Sequence, residues 1–137
     1  MSVIFYNSIN NEAAEKLEKI LDTKGLGEKV ERFQSIEELS NGLSRTNRNQ
    51  HVAVIHIGAM QEFNQILSIK RLLNDMRIIL ILPDRSAEIV SAGYKLYPRF
   101  ISYSDSDFND VAIVLRRMIA LMEQKSIITE MPSSRFN

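Results

Sequence analysis

The chain has 137 residues, 45% of them hydrophobic, with 17 basic and 17 acidic side chains and no cysteine. That length suits one domain, which buries roughly two-thirds of the surface its unfolded chain exposes, and the missing thiols exclude disulfides, Cys-ligated metals and thiol nucleophiles. Balanced charge weighs against a broad nucleic-acid surface, no segment has the apolar length of a membrane span, and Met1 runs into VIFY without a leader pattern, so a soluble cytoplasmic protein is expected, with no direct nucleic-acid or membrane partner.

Five apolar runs alternate with helical patterns. Val3–Tyr6 reads as a short buried strand. Asn10 or Asn11 then caps a helix carrying Ala13, Leu17, Ile20, Leu21 and Lys24 at helical spacing, and Gly25 and Gly27 stop it. Lys29–Phe33 alternates charge with Val30 and Phe33, as an edge strand does. Ser35 and Glu38 stand at capping-box spacing ahead of Ile36, Leu39 and Leu43. A polar loop at 46–50 leads to a third strand, Val52–Ile57.

Residues 60–76 have the clearest amphipathic pattern, with Met60, Phe63, Ile66, Leu67, Leu73 and Met76 near one stripe, and predict one helix. The wholly apolar run Ile78–Leu82 suits a strand covered on both faces, ended by Pro83-Asp84. Ala87–Tyr97 predicts a helix that Pro98 stops, Phe100–Tyr103 a fifth strand, and Ser106 or Asp107 the cap of a last helix from about Phe108 to Gln124. This divides the chain into a domain at 1–125 and a tail or tether at 126–137.

Strand-then-helix repetition implies an α/β fold: a five-stranded parallel sheet, order 2-1-3-4-5, with helices on both faces. Such sheets bind ligands beyond the carboxyl ends of their strands, near the switch between strands 1 and 3. His56, ending an otherwise apolar strand, sits at that point.

Over roughly residues 2–124 the layout resembles the receiver domain of bacterial two-component response regulators. The element order, the small pair Ala92-Gly93 in the fourth helix, Phe100 in the fifth strand and the cap that follows carry the likeness. The resemblance implies acids after strand 1 and an aspartate ending strand 3, which hold Mg²⁺ and accept a phosphoryl group. It also implies a Thr or Ser ending strand 4 and a Lys ending strand 5. Here the matching positions are Asn7 and Ser8, then His56, Leu82 and Tyr103. A one-residue shift does not restore the set, and Mg²⁺ wants hard oxygen ligands, commonly carboxylates. The sequence therefore reads as a degenerate receiver with no catalytic residue, no metal and no cofactor.

Each sharper reading has a plainer rival. His56 is a structural histidine held through one ring nitrogen, or else a ligand contact, or a nucleophile or phosphoryl acceptor. His51 begins the same strand at the far end and is expected at the surface. Asp84, Asp105 and Asp107 could approach the upper rim and hold an ion, yet turn and cap roles explain their positions. NSINNE has one serine and no glycine for a phosphate loop, and neither GxGxxG nor GxxxxGK[ST] occurs.

The last helix carries more apolar surface than one buried face requires. Val111, Val114, Leu115, Met118, Leu121 and Met122 make one face, while Ala112, Ile113, Ile119 and Ala120 lie outside it. A homodimer or another protein is the expected partner. By the resemblance it docks on helix 4, strand 5 and helix 5, at Tyr94, Tyr97, Ile113, Arg116, Arg117 and Ala120. The alternative is a small-molecule or metal-sensing domain using the pocket over Asn7, Ser8, His56 and Tyr103.

Overall fold

A computed structural model describes residues 2–22, 29–45 and 51–130, with the backbone alone at Ser2, Lys29 and 123–130. Five strands, β1 (Ser2–Asn7), β2 (Lys29–Phe33), β3 (His51–His56), β4 (Arg77–Leu82) and β5 (Phe100–Tyr103), form one sheet. All pairs are parallel and the order is β2-β1-β3-β4-β5. The helices are α1 (Glu12–Leu21), α2 (Ile36–Leu43), α3 (Met60–Ser68), α4 (Lys70–Leu73), α5 (Ala87–Tyr94) and α6 (Asn109–Glu130). The α/β class and strand order expected from the sequence are those observed.

Strand alternation sorts the core into two layers. Val3, Phe5, Val52, Val54, Ile79 and Ile81 face α1 and α6, while Ile4, Tyr6, Ala53, Ile55, Leu80 and Leu82 face α2 to α5. Central β3 and β4 carry unbroken apolar runs, Val52–Ile55 and Ile78–Leu82, because both faces are covered. Edge strand β2 instead exposes Arg32, which reaches Glu18 at 2.9 Å and Asp22 at 3.0 Å on α1. This exposed network contributes less than about 1 kcal/mol per pair.

The caps are local. Asn11, rather than Asn10, accepts the Ala14 N–H at 2.9 Å. Ser35 accepts from Glu38 N at 3.1 Å, and the Glu38 carboxylate reaches back to Gln34 N at 2.8 Å. Ala92 and Gly93 are buried, and a Cβ on Gly93 would stand 3.1 Å from Leu80 Cδ2. Small residues there let α5 lie close on β4. The expected helix stop at Gly25 and Gly27, with Lys24, and the polar loop at 46–50 lie outside the described residues.

Four expectations need correction. The single helix over 60–76 is two, broken at Ile69 (φ −109°, ψ 19°), where i→i−3 bonds from Ile69 to Ile66 and from Leu72 to Ile69 tighten the chain. That extra rotation keeps Leu73 and Met76 on the core. The fourth helix ends at Tyr94, and turns carry the chain on to Tyr97, which has φ 52°. The last helix begins after Phe108 (φ 63°), whose fully buried ring locks that left-handed backbone in place, so Ser106 and Asp107 make preceding turns by accepting from Phe108 N and Asn109 N at 3.0 Å. Its backbone runs to Glu130, beyond the end expected near Gln124. Residues 131–137 of the expected tail lie outside the described residues.

Candidate functional site

The parallel register places Asn7 beside His56, His56 beside Ile81, and Leu82 beside Tyr103, so the expected positions line the carboxyl edge of the sheet. They do not converge on one pocket. Asn7 and His56 follow the alternation of Val3, Phe5, Val52 and Val54, which turns them toward the α1 and α6 layer. Leu82 packs in the opposite core and is fully buried.

Asn7 Oδ1 lies 2.8 Å from His56 Nδ1 and also accepts the Ile9 N–H at 3.3 Å. The Ile9 donor fixes which end of the amide is oxygen, so Nδ1 carries the imidazole proton and the lone pair is on Nε2. His56 is 1% exposed, and burial holds its pKa below the usual histidine value, against the opposing pull of the Glu62 charge. It is a neutral, oriented imidazole.

Glu62, in the first turn of α3, is the residue that sequence reading missed. Its Oε2 accepts from Tyr6 OH at 2.7 Å and from the Ser8 hydroxyl, and its Oε1 accepts from Gly58 N at 2.8 Å. Burial, then the Glu62 bond, pushes the Tyr6 hydroxyl well above the ordinary tyrosine range. Ala59 makes no side-chain cap, so Glu62 does the capping from three residues on. The interval Ala59-x-x-Glu62 was the available signal. The rim is therefore not free of carboxylate, but both oxygens of this one are occupied by internal donors.

A third group lies over β4 and β5. Arg85 pairs with Asp105 through two bonds, at 2.8 and 3.1 Å, and its guanidinium sits 4.2 Å from the centroid of the Tyr103 ring. Ser104 donates twice to Leu82 O, at 2.9 and 3.1 Å. Asp84 accepts from Ser86 N at 2.8 Å and Asp107 from Asn109 N, which are turn roles, while Asp105 is an ion-pair partner rather than a cap. Among the described residues no three His, Asp or Glu side chains are grouped to hold a metal ion. His51 is half-buried rather than fully at the surface.

The six residues expected on an interaction face fall in two groups on opposite layers. Tyr94 and Tyr97 belong to α5 and the turn after it, and the Tyr97 ring lies 5.1 Å from Lys70 Nζ of α4. Ile113, Arg116, Arg117 and Ala120 are exposed along α6. The buried stripe of α6 is Val111, Leu115, Met118, Ile119 and Met122, so Ile119 faces the sheet and Leu121 does not. Among the described residues the exposed large hydrophobic side chains are Tyr94 (62%), Tyr97 (78%), Ile113 (50%) and Leu121 (60%). No described helix is long and apolar enough to cross a membrane.

No family model and no curated protein matches the chain. Solved structures do. A signal receiver domain of a signal transduction histidine kinase from Syntrophus aciditrophicus superposes with a TM-score of 0.66 at 15% identity, covering 88% of this chain and 91% of that one. A protein assigned as a response regulator from Chloroflexus aurantiacus gives 0.65 at 14% identity, over 87% and 98%. An adenylate cyclase from Rhodopirellula baltica gives 0.64 at 7% identity, over 95% and 98%. The fold is that of receiver domains. Identities this low carry the fold and nothing of the chemistry, since one fold hosts many functions.

Proposed function

We propose that this chain is a non-enzymatic, phosphorylation-independent, receiver-like module that works by protein–protein contact in bacterial signal transduction. It acts in the cytoplasm as a domain at 1–125, with 126–137 as a tether, and binds neither nucleic acid nor membrane. The contact surface is the edge formed by α5, β5 and α6, with Tyr94, Tyr97, Ile113, Arg116, Arg117 and Ala120 as its residues. Two of these are aromatic and two are arginine, the types enriched at interface centres.

One observation carries this reading. The four exposed large hydrophobic side chains among the described residues all belong to α5, the turn after it and α6, and none to α1 through α4. Scattered exposed apolar residues need no explanation, but confinement to one third of the chain does. The rim supports the same reading from the other side. His56 and Asn7 are bonded to each other and both oxygens of Glu62 are occupied, while Leu82 and Tyr103, which the resemblance matches to a Ser or Thr and a Lys, are neither.

The test is sedimentation velocity on the full chain and on Ile113→Glu and Ala120→Glu, with defined-site crosslinking from the same face. Self-association or crosslinking that both variants abolish, with thermal stability held, is the expected result. Unchanged behaviour in both assays rejects the reading. Ligand-dependent stabilisation with a metal or small molecule, blocked by His56→Gln, would replace it with the sensing alternative.

A further inference from the structure

Among the described residues two that are not glycine take a left-handed backbone: Tyr97, at φ 52°, and Phe108, at φ 63°. They hold it for different reasons. The Phe108 ring is fully buried, and its packing fixes the strained backbone. The Tyr97 ring is largely exposed, so no burial holds it there. Glycine takes that φ without strain, yet the chain sets a large aromatic side chain on it. Strain beneath an exposed aromatic ring is the mark of a contact surface.

The surroundings of that ring are basic. Lys70 Nζ of α4 stands 5.1 Å from its centroid, and Tyr97 N donates to Tyr94 O at 3.0 Å, which keeps the two tyrosines on one turn. Arg99 N donates to Ile78 O at 2.8 Å, so Arg99 is seated at the head of β4. Across 69–77 and 93–99 the cations are Lys70, Arg71, Arg77, Lys95 and Arg99, and the acid is Asp75 alone. Arg32 and Arg85 are paired with carboxylates, whereas Lys70 approaches a ring, and Lys95 and Arg99 have no ion pair among the described residues. In a chain with no net charge, this is a local excess of positive charge.

We infer that Tyr94, Tyr97 and the cations around them form a docking site for an acidic segment of a partner protein. Carboxylates of that segment meet Lys70, Lys95 and Arg99, and its apolar side chains lie against the two rings. A nucleic-acid strand is the poorer fit, since balanced charge gives no broad field to hold a phosphate backbone. The inference rests on the reading of Tyr94 and Tyr97 as contact residues. It needs nothing from Ile113, Arg116, Arg117 and Ala120, which lie on α6 in the opposite layer.

Fluorescence anisotropy on the full chain tests the site, with a labelled peptide repeating Glu-Glu-Leu, its Lys-Lys-Leu counterpart and oligothymidylate as probes. The acidic peptide should bind, less tightly as salt rises, and the basic one should not. Lys70→Glu and Arg99→Glu should each weaken binding by about tenfold, whereas Lys16→Glu, the same charge change on α1, should leave it within about twofold. Tyr97→Gly should weaken it by about tenfold yet stay folded by circular dichroism, because glycine suits that φ and the lost ring is exposed. Absence of binding to the acidic peptide overturns the site, as does an equal loss in Lys16→Glu or no loss in Tyr97→Gly. Tighter binding of oligothymidylate than of the peptide overturns the choice of partner. Any of these results beside self-association that Ile113→Glu abolishes leaves the contact reading standing while this site falls.

Discussion

Asn7 and His56 stand opposite each other in the β1–β3 register, and the 2.8 Å bond between Asn7 Oδ1 and His56 Nδ1 sets the tautomer of the imidazole. An aspartate in place of Asn7 would have attracted a second proton to the ring. An amide does not, so a buried histidine beside a neutral acceptor stays uncharged.

The first prediction follows from that neutrality. Burial lowers the folded-state pKa of His56 below its unfolded value of about 6.5, so the unfolded chain binds the proton more readily. The stability this group contributes is fully present above about pH 6.5 and is lost as pH falls through the folded-state value. Urea denaturation between pH 7.5 and 4.5 should show a slope of up to ~1.4 kcal/mol per pH unit from this one proton. His56→Gln should flatten that part of the profile. An unchanged slope in the variant would place the acid sensitivity elsewhere.

A second prediction concerns Glu62 and its donors. Tyr6→Phe removes one donor and leaves Glu62 with two, which costs about 1 to 2 kcal/mol. Glu62→Ala leaves the buried Tyr6 hydroxyl and the Gly58 N–H unpaired and the start of α3 uncapped, so it costs more, about 2 to 4 kcal/mol. The Tyr6 pKa is raised in the folded state, so its contribution holds below about pH 10 and is lost as pH rises above that. Tyr6→Phe should remove the alkaline loss. Equal costs for the two variants would contradict Glu62 as the shared acceptor.

Strands and strand order were legible because β3 and β4 carry unbroken apolar runs, Val52–Ile55 and Ile78–Leu82, while β2 alternates with charge, a pattern that separates central from edge positions. The break at Ile69 was not, since Phe63, Ile66 and Leu73 fit one stripe until a tightened turn is allowed. Asn7, His56, Leu82 and Tyr103 were readable one by one as strand ends, and each does end its strand. What could not be read was which way each pointed: Asn7 and His56 toward one layer, Tyr6 and Leu82 toward the other. Glu62 was missed because it comes from a helix rather than a strand end. Ile119 and Leu121 exchanged roles because a two-residue difference on a helix is about 200° of rotation, and α6 is apolar on both sides.

Tyr97 supplies a third prediction. Its φ of 52° is a conformation that costs side chains roughly 1 kcal/mol, and its ring is largely exposed. Tyr97→Ala and Tyr97→Gly both lose the ring and its approach to Lys70, so comparing them isolates the backbone. The glycine variant should be the more stable by about 1 kcal/mol in thermal or urea denaturation. The usual order at negative φ, with alanine ahead, would mean that the left-handed turn is absent in solution.

The last prediction bears on phosphoryl chemistry. A receiver-type acceptor would bind Mg²⁺ through carboxylates and hold beryllofluoride as a phosphoryl mimic, and a ligand at 100 times its dissociation constant stabilises the folded chain by ~2.7 kcal/mol. Here His56, which ends β3, is a neutral imidazole bonded to an amide, and the nearby carboxylate is taken up by Tyr6, Ser8 and Gly58. Freeing Glu62 to bind Mg²⁺ would strand the Tyr6 hydroxyl in the core, a cost that a single carboxylate's affinity for the ion does not offset. A thermal-shift series with Mg²⁺ and beryllofluoride should therefore be flat in the unmodified chain. It should stay flat in His56→Asp, because one restored carboxylate supplies a single hard oxygen ligand while that of Glu62 stays taken up by its donors. A shift in the unmodified chain would show that the rim rearranges on binding and that Glu62 changes partners to do it.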